Sequence, residues 1–284
     1  MEDKRSKVRS IIKSTQSLPA IPGIIAKLNS LSADKKASIH DMARIVSSDQ
    51  GLCARTLRLV NSPSYGFSRV STITNAMILL GVDVVASLCL SSSIFQIMET
   101  SVLGLWEHSL GAGTASTIIA RKLGLSECAE ISTAALLHDI GKIIIKSNFE
   151  DDYKQILAMV TTREISFSEA ELELLGADHA ELGGWLATSW LLPEKLIEPI
   201  ICHHEVHKSS AHQTKTAVVH LADVLIKASG FGLSGDEYVP QIHPMAWQKL
   251  EMNERLLDEI VEELEEKLIE VKNFSMEIQA SHGH

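Results

Sequence analysis

The chain has 284 residues, of which 45% are hydrophobic, 22% are charged and 5% are aromatic. This length supports one large or two modest hydrophobic cores, and the composition is typical of a soluble, aliphatic-rich helical protein rather than a disordered one. The net charge of −10 is uneven, because residues 1–75 hold 12 Lys and Arg against 5 Asp and Glu. We therefore expect either a basic segment that attracts the acidic remainder or a basic surface for an anionic partner.

The compartment is indicated by the cysteines and by the hydropathy of the chain. The four cysteines are widely spaced and form no Cys-x-x-Cys pair, which argues against disulfides and cysteine zinc sites and favours a reducing cytoplasm. The polar N-terminus lacks the apolar core of a signal peptide. Residues 76–98 form the longest apolar run, but Gly81 and Asp83 interrupt it. Two buried helices are therefore expected there, and no membrane association.

The first hundred residues predict short helices separated by turns. A basic helix over residues 3–14 is followed by a proline-punctuated turn and by helices that start near Ile24, Ser38 and Leu52. Residues 61–66 predict a turn-rich loop of the kind that often forms a functional rim, and residues 72–80 and 82–98 predict two largely buried helices. A DNA-reading helix pair carrying Arg55 and Arg58 is the alternative, but a small helical bundle is preferred because no further basic cluster follows.

The second half predicts longer helices and no strands, so the expected class is all-α. One helix opens at 106–109, a second opens at Asp178 with Glu181 in a capping-box position, and a third follows Pro193. A fourth helix covers residues 216–228. The tail from Trp247 to Met276 predicts one long acidic helix with a leucine-rich stripe, which we expect to pack back on the domain, with a second chain as the alternative partner.

Histidines and aspartates occur at the ends of these predicted helices, where side chains that are distant in sequence can converge. The candidates are His108, His138, Asp139, His179, His203, His204 and Asp223. The pattern predicts two metal ions. His108, His138 and Asp223 would hold one ion, His179, His203 and His204 would hold the other, and Asp139 would bridge them. The remaining histidines, at positions 40, 207, 212, 220 and 243, have no such support.

Histidine-rich sites bridged by a carboxylate suit iron, manganese or zinc better than magnesium or calcium. Such ions activate water for attack on phosphorus and steady phosphate oxygens. Lys142 follows His138 by about one helical turn and is placed to hold a phosphate or to stabilise the transition state. Asp139 and Lys142 are therefore the candidate catalytic residues.

Several separated motifs carry a family resemblance. Residues 108–223 resemble a metal-dependent phosphohydrolase domain of the HD superfamily, whose pattern is His, His-Asp and Asp, and the additional histidines resemble its two-metal branch. The segments 18–22, 45–49, 57–66 and 73–81 resemble the HDOD family. The likeness covers roughly residues 15–235. It implies an N-terminal helical subdomain over residues 1–102, an HD-type metal-site domain over 103–240 and a C-terminal acidic helix over 241–284.

The resemblance implies a bacterial, cytoplasmic signalling or regulatory module, since many HDOD proteins have lost metal ligands and have no established enzymatic activity. The chain departs from the cyclic-di-GMP phosphodiesterases of HD-GYP type after His204, where the Gly-Tyr-Pro loop is absent. That substrate specificity is therefore not transferred.

Three functional hypotheses follow. The preferred one is an HDOD signalling module that binds divalent metal and works through a signalling partner. The second is an active phosphohydrolase on a nucleotide or another phosphoester. Nucleic-acid binding by the basic N-terminal third is the least favoured. A dimer formed through the C-terminal helix is compatible with each of them.

Overall fold

The computed structural model describes residues 4–14, 38–65, 70–236 and 238–280, and these residues form α-helices without any β-strand. The all-α prediction is confirmed. The N-terminal helices are α1 (Lys4–Ser14), α2 (Ile39–Ser47), α3 (Gln50–Val60), α4 (Ile73–Leu80) and α5 (Val82–Ser101). The predicted helix start at Ile24 lies outside the described residues, as does the histidine-containing end at 281–284.

The second part of the chain supplies the longer helices. These are α6 (Leu105–Lys122), α7 (Cys128–Leu137), α8 (Gly141–Asn148), α9 (Glu150–Arg163), α10 (Phe167–Leu175), α11 (His179–Ser189), α12 (Glu194–Cys202), α13 (Gln213–Ser229), α14 (Pro244–Lys249) and α15 (Glu254–Ala280). A short 3-10 turn, Val206–Lys208, connects α12 to α13. Helices α6, α7 and α13 pack on one another, and α15 covers α6.

The basic helix α1 lies on the acidic part of the protein. Lys4 Nζ is 2.8 Å from Asp152 Oδ1, and Arg5 pairs with Glu181 of α11. The guanidinium of Arg9 also lies over the ring of Trp185, 5.4 Å from its centroid. The charge asymmetry of the sequence is therefore explained, for this helix, by attraction between two parts of the same chain.

The burial of the apolar side of α1 predicts that the packing of this helix stabilises the fold. Ile12 is only 4% exposed, whereas its neighbour Ile11 is partly exposed. We expect Ile12→Ala to lower the free energy of unfolding by about 2 kcal/mol, because a buried isoleucine loses contacts and leaves a cavity. Ile11→Ala is the matched control and should cost clearly less. Urea denaturation of both variants checks this, and equal losses would contradict the packing of α1.

The apolar run at residues 76–98 forms two helices, as predicted. Gly81 separates α4 from α5 with φ of 89°, a conformation that side chains with a Cβ rarely adopt. Burial of α4 is less complete than expected, because Ile78 and Leu79 are 63% and 53% exposed. Within the described part of the chain, no helix has both the length and the apolarity needed to cross a bilayer.

The predicted rim loop is an internal contact over its described residues, 61–65. Tyr65 is buried, and its hydroxyl is 2.9 Å from the hydroxyl of Thr133 on α7. Ser64 Oγ lies 3.0 Å from Thr114 Oγ1 on α6. The expectation of a functional rim is wrong for these residues, because buried hydroxyls need partners and find them on the neighbouring helices.

A continuous apolar core also joins residues on both sides of position 102.

The C-terminal tail differs from the predicted single helix. Glu251 adopts φ of 50°, which ends α14 and its following turn, and Asn253 Oδ1 accepts a hydrogen bond from Leu256 N at 3.0 Å to start α15. Leu250 and Met252 are buried on this turn. Ile260, Leu264 and Leu268 then pack into the core with α6 and α13 residues. The helix therefore packs back on the domain.

Candidate metal centre

The first cluster of candidate ligands consists of His108, His138 and Asp223. His108 lies in the first turn of α6, His138 caps the C-terminal end of α7, and Asp223 lies within α13. His108 Nε2 is 3.0 Å from Asp223 Oδ1 and 3.3 Å from His138 Nε2. All three side chains are at least 98% buried. The packing of α6, α7 and α13 thus brings together residues that span 115 positions.

The second cluster consists of His179, His203 and His204. His179 is the first residue of α11, and His203 caps the C-terminal end of α12. His204 Nε2 lies 2.8 Å from His179 Nε2. One ring nitrogen from each of the three histidines lies within 4.8 Å of the other two. His204 is partly exposed, while His179 and His203 are buried, so the second cluster is the one that reaches the surface.

Asp139 lies between the two clusters, with one carboxylate oxygen toward each. Its Oδ2 is 3.4 Å from His138 Nε2 and 3.6 Å from His108 Nε2. Its Oδ1 is 3.1 Å from His179 Nε2 and 4.0 Å from His203 Nε2. A carboxylate in this position is able to contact both clusters at the same time.

The outer nitrogens of three of these rings are held by acceptors of the protein. His138 Nδ1 donates to the carbonyl of Ala135 at 2.6 Å, and His203 Nδ1 donates to the carbonyl of Ile200 at 2.8 Å. His179 Nδ1 lies 2.6 Å from Glu171 Oε2. When Nδ1 carries the proton of a neutral imidazole, the lone pair is on Nε2. Acceptors of this kind fix the ring and tautomer of histidines that bind metal.

Two lysines, Lys142 buried and Lys227 partly buried, compensate the charges of the carboxylates. Lys142 Nζ is 2.7 Å from Asp139 Oδ2, and Lys227 Nζ is 3.5 Å from Asp223 Oδ2. Burial alone would raise the pKa of Asp139, but His138 and Lys142 hold this pKa well below its usual range. Burial alone would also raise the pKa of Asp223, but Lys227 and the hydrogen bond from His108 keep this pKa well below its usual range. Both carboxylates are therefore ionised near neutral pH.

Burial acts differently on the imidazoles. It lowers the pKa of His108, and it lowers the pKa values of His203 and His204 well below their usual range. Burial also opposes the charge of His179, but the Glu171 carboxylate beside it raises the pKa of His179 to about 9. The uncharged rings of His108, His203 and His204 have the protonation state that a metal ligand requires.

The unsatisfied atoms of the site fit a metal ion. His203 Nε2 and Asp139 Oδ1 are buried without a hydrogen bond of normal geometry among the described residues. Imidazole nitrogens also face each other across the first cluster and across the second. Buried polar atoms without partners are costly, and a cation among them would satisfy the lone pairs. The nitrogen and carboxylate donors match iron, manganese or zinc.

All seven predicted ligands meet in this region, and the predicted division into two clusters agrees with their distances; their role as ligands stays a prediction. Lys142, predicted to face a phosphate, is instead buried against Asp139 and the ring of Phe167.

His220 has an internal role, since its Nδ1 donates to His203 O at 2.7 Å. The capping box at Asp178 is incomplete, because Glu181 pairs with Arg5.

Two residues of the site were not identified from the sequence. Lys227 follows Asp223 by four positions on one helix, so the i, i+4 rule could have indicated the pair. Glu171 lies eight residues before His179, and its helix α10 is separated from α11 by the turn at Gly176. No short spacing rule connects residues across such a turn.

Solved structures with the same helical fold include three from bacteria. An HDOD domain protein of unknown function from Geobacter sulfurreducens is 26% identical, with a TM-score of 0.73 over 95% of this chain and 98% of that one. A protein of Marinobacter aquaeolei VT8, provisionally named a signal transduction protein, is 19% identical, with a TM-score of 0.72 over 95% and 64%. A provisionally named phosphohydrolase of Shewanella amazonensis SB2B is 21% identical, with a TM-score of 0.68 over 95% and 98%.

Sequence comparisons agree with this fold. An uncharacterized protein of Treponema pallidum (strain Nichols) is 23% identical over 224 residues, which cover 77% of this chain and 44% of that protein. The chain thus spans less than half the length of this relative. The model of the HDOD domain matches residues 18–206, which is more than half of the chain. The protein therefore belongs to the HDOD family.

Proposed function

We propose that the protein is a bacterial signalling module whose HD-type site holds two divalent transition-metal ions and whose output is a contact with a partner rather than turnover of a substrate. The observation that carries the metal part is the convergence of five imidazole Nε2 atoms and two carboxylates, where His203 Nε2 and Asp139 Oδ1 have no hydrogen bond of normal geometry among the described residues. The provisional names of the similar structures from Marinobacter and Shewanella support signalling and phosphohydrolase chemistry, respectively.

The burial of the site favours signalling over turnover. Of the seven candidate ligands, six are buried and His204 alone is partly exposed. Hydrolysis requires that a phosphoester reach the ions and that a coordination position stay open to water. Lys142, the candidate for binding phosphate, is 1% exposed and engaged with Asp139. At such an enclosed site, bound ions would instead hold together the helices that carry the ligands, which are α6, α7, α11, α12 and α13.

The alternative, a phosphohydrolase, is favoured by the bridging position of Asp139. When bound, divalent ions in such sites supply activated water and neutralise phosphate oxygens. The chain would contribute His108, His138 and Asp223 on one side and His179, His203 and His204 on the other. His204 would lie nearest to an incoming phosphoester, since it is the exposed member.

Metal analysis tests the proposal. Protein purified without chelator should contain about two equivalents of iron, manganese or zinc per chain, and Asp139→Ala should contain less. The metal-loaded protein should then hydrolyse bis(p-nitrophenyl) phosphate no faster than Asp139→Ala does. An absence of bound metal would overturn the proposal. A rate that depends on Asp139 would replace it by the phosphohydrolase alternative.

A further inference from the structure

The two clusters differ in charge. In the first cluster, Asp223 contributes a carboxylate directly, 3.0 Å from His108 Nε2. The second cluster consists of three imidazoles and shares only the Oδ1 atom of Asp139, which lies 3.1 Å from His179 and 4.0 Å from His203. A divalent ion that enters among three buried imidazoles loses hydration without a full counter-charge, which disfavours binding.

A second carboxylate stands directly behind the second cluster. Glu171 is completely buried, and its Oε2 is 2.6 Å from His179 Nδ1 and 2.8 Å from His179 N. One oxygen thus holds both the ring and the backbone of His179. The opposite nitrogen, Nε2, is the one that faces Asp139 and His204.

The other oxygen of Glu171 differs from Oε2 in its contacts. Glu171 Oε1 is buried and has no hydrogen-bond partner there. Capping the start of α11 does not account for Oε1, because Oε2 is the atom that accepts from His179 N, while Asp178 accepts the hydrogen bond from Glu181 N at 2.9 Å. A buried, partly unsatisfied carboxylate is costly, so its presence beside a candidate ligand indicates an electrostatic role.

We propose that Glu171 is the positioning residue and counter-charge of the second cluster, so that its carboxylate decides whether the ion between His179, His203 and His204 is retained. This inference rests on the proposed two-metal function and adds that each ion is supported by a different carboxylate. Asp223 supports the ion of the first cluster, and Glu171 supports the ion of the second. The second ion is then the one that can be lost separately, next to the partly exposed His204.

The test compares three isosteric variants with the wild type. Glu171→Gln removes the charge of Glu171, and Asp223→Asn removes the carboxylate of the first cluster. Glu198→Gln is the matched control, because Glu198 is also buried and accepts hydrogen bonds from the backbone, at Ala211 N and His212 N. Each protein is stripped with chelator, equilibrated with buffered free Zn²⁺ at graded concentrations, and assayed for bound zinc per chain.

We expect the wild type and Glu198→Gln to bind two ions with the same affinities. In Glu171→Gln one of the two affinities should fall by about 10–100-fold, the effect typical of losing a carboxylate that supports a metal-binding histidine. Asp223→Asn should lower the affinity for the other ion. The double variant Glu171→Gln, Asp223→Asn should therefore bind both ions more weakly. Circular dichroism and thermal melts of the stripped proteins separate this effect from loss of folding.

The outcomes distinguish the two proposals. A wild type that binds no zinc, or only one ion, overturns the two-metal function and this inference with it. A wild type that binds two ions while Glu171→Gln binds both as tightly overturns only the role of Glu171, as does an equal loss of affinity in Glu198→Gln.

A second substitution provides the test if Glu171→Gln does not fold. Glu171→Asp keeps the charge and shortens the reach toward His179 Nδ1. The loss of affinity should then be smaller than tenfold and confined to one ion. An unchanged profile, or equal weakening of both ions, overturns the proposal in that case.

Discussion

Gly141→Ala is expected to destabilise the protein severely and to abolish metal binding. A Cβ at Gly141 would lie 2.0 Å from the carbonyl oxygen of His179 and 2.8 Å from the backbone nitrogen of Gly183. Both neighbours are backbone atoms of α11, so no rotamer change can relieve the overlap. We expect a loss of at least about 3 kcal/mol in the free energy of unfolding, at the upper end of the cost of overpacking. The forced separation of α8 and α11 would move Asp139 away from His179.

A matched substitution controls for the intrinsic effect of replacing a glycine. Gly124 has φ of 67°, and apart from its chain neighbours no atom of the described residues lies within 4 Å of an added Cβ. Gly124→Ala should therefore cost only about 1–2 kcal/mol, the penalty of the left-handed conformation, and should keep its metal. Urea denaturation of the metal-free proteins and metal analysis of the loaded ones check both variants. Wild-type stability of Gly141→Ala would show that α8 and α11 are farther apart than described.

Asp139→Asn is the second substitution with a large expected effect. It removes the carboxylate that lies between the two clusters, and it leaves the ammonium of Lys142 buried without its partner at 2.7 Å. Breaking a buried ion pair from one side typically costs about 3–5 kcal/mol. We expect a stability loss of this size in the metal-free protein and the loss of at least one bound ion in the loaded protein.

The double variant Asp139→Asn, Lys142→Met separates the two effects. Replacing the unpaired ammonium by an apolar side chain should restore part of the stability, whereas the lost ion should not return. Asp152→Asn is the surface control, because Asp152 pairs with Lys4, whose side chain is 47% exposed, and such pairs contribute about 1 kcal/mol or less. If Asp139→Asn alone retained full stability and both ions, the central position of Asp139 would be refuted.

Much of the architecture could be predicted from the sequence, because it depends on local patterns. Helical periodicity gave the all-α class and most helix positions, and the separated motifs identified the HDOD family. The predicted continuation of one helix through residues 247–276 was wrong at Glu251, since a single left-handed residue breaks a helix without any proline or glycine signal.

The candidate ligands were predictable for the same reason. Histidines and aspartates are few, and those at helix ends stand out from an aliphatic sequence. His138 and Asp139 are adjacent, and the remaining five lie at or near the starts and ends of helices, or on a helix face that packs on them.

The tertiary structure alone decided how those candidate ligands are supported and enclosed. Glu171 reaches His179 across a turn, Lys142 turns inward to Asp139, and the predicted rim at Tyr65 is a buried contact with Thr133. Each of these depends on the distance and direction between separate helices. Local sequence fixes which face of a helix is apolar, but the partner of a buried charge is set by the packing of helices far apart in the chain, because the cost of burying a charge depends on everything that surrounds it.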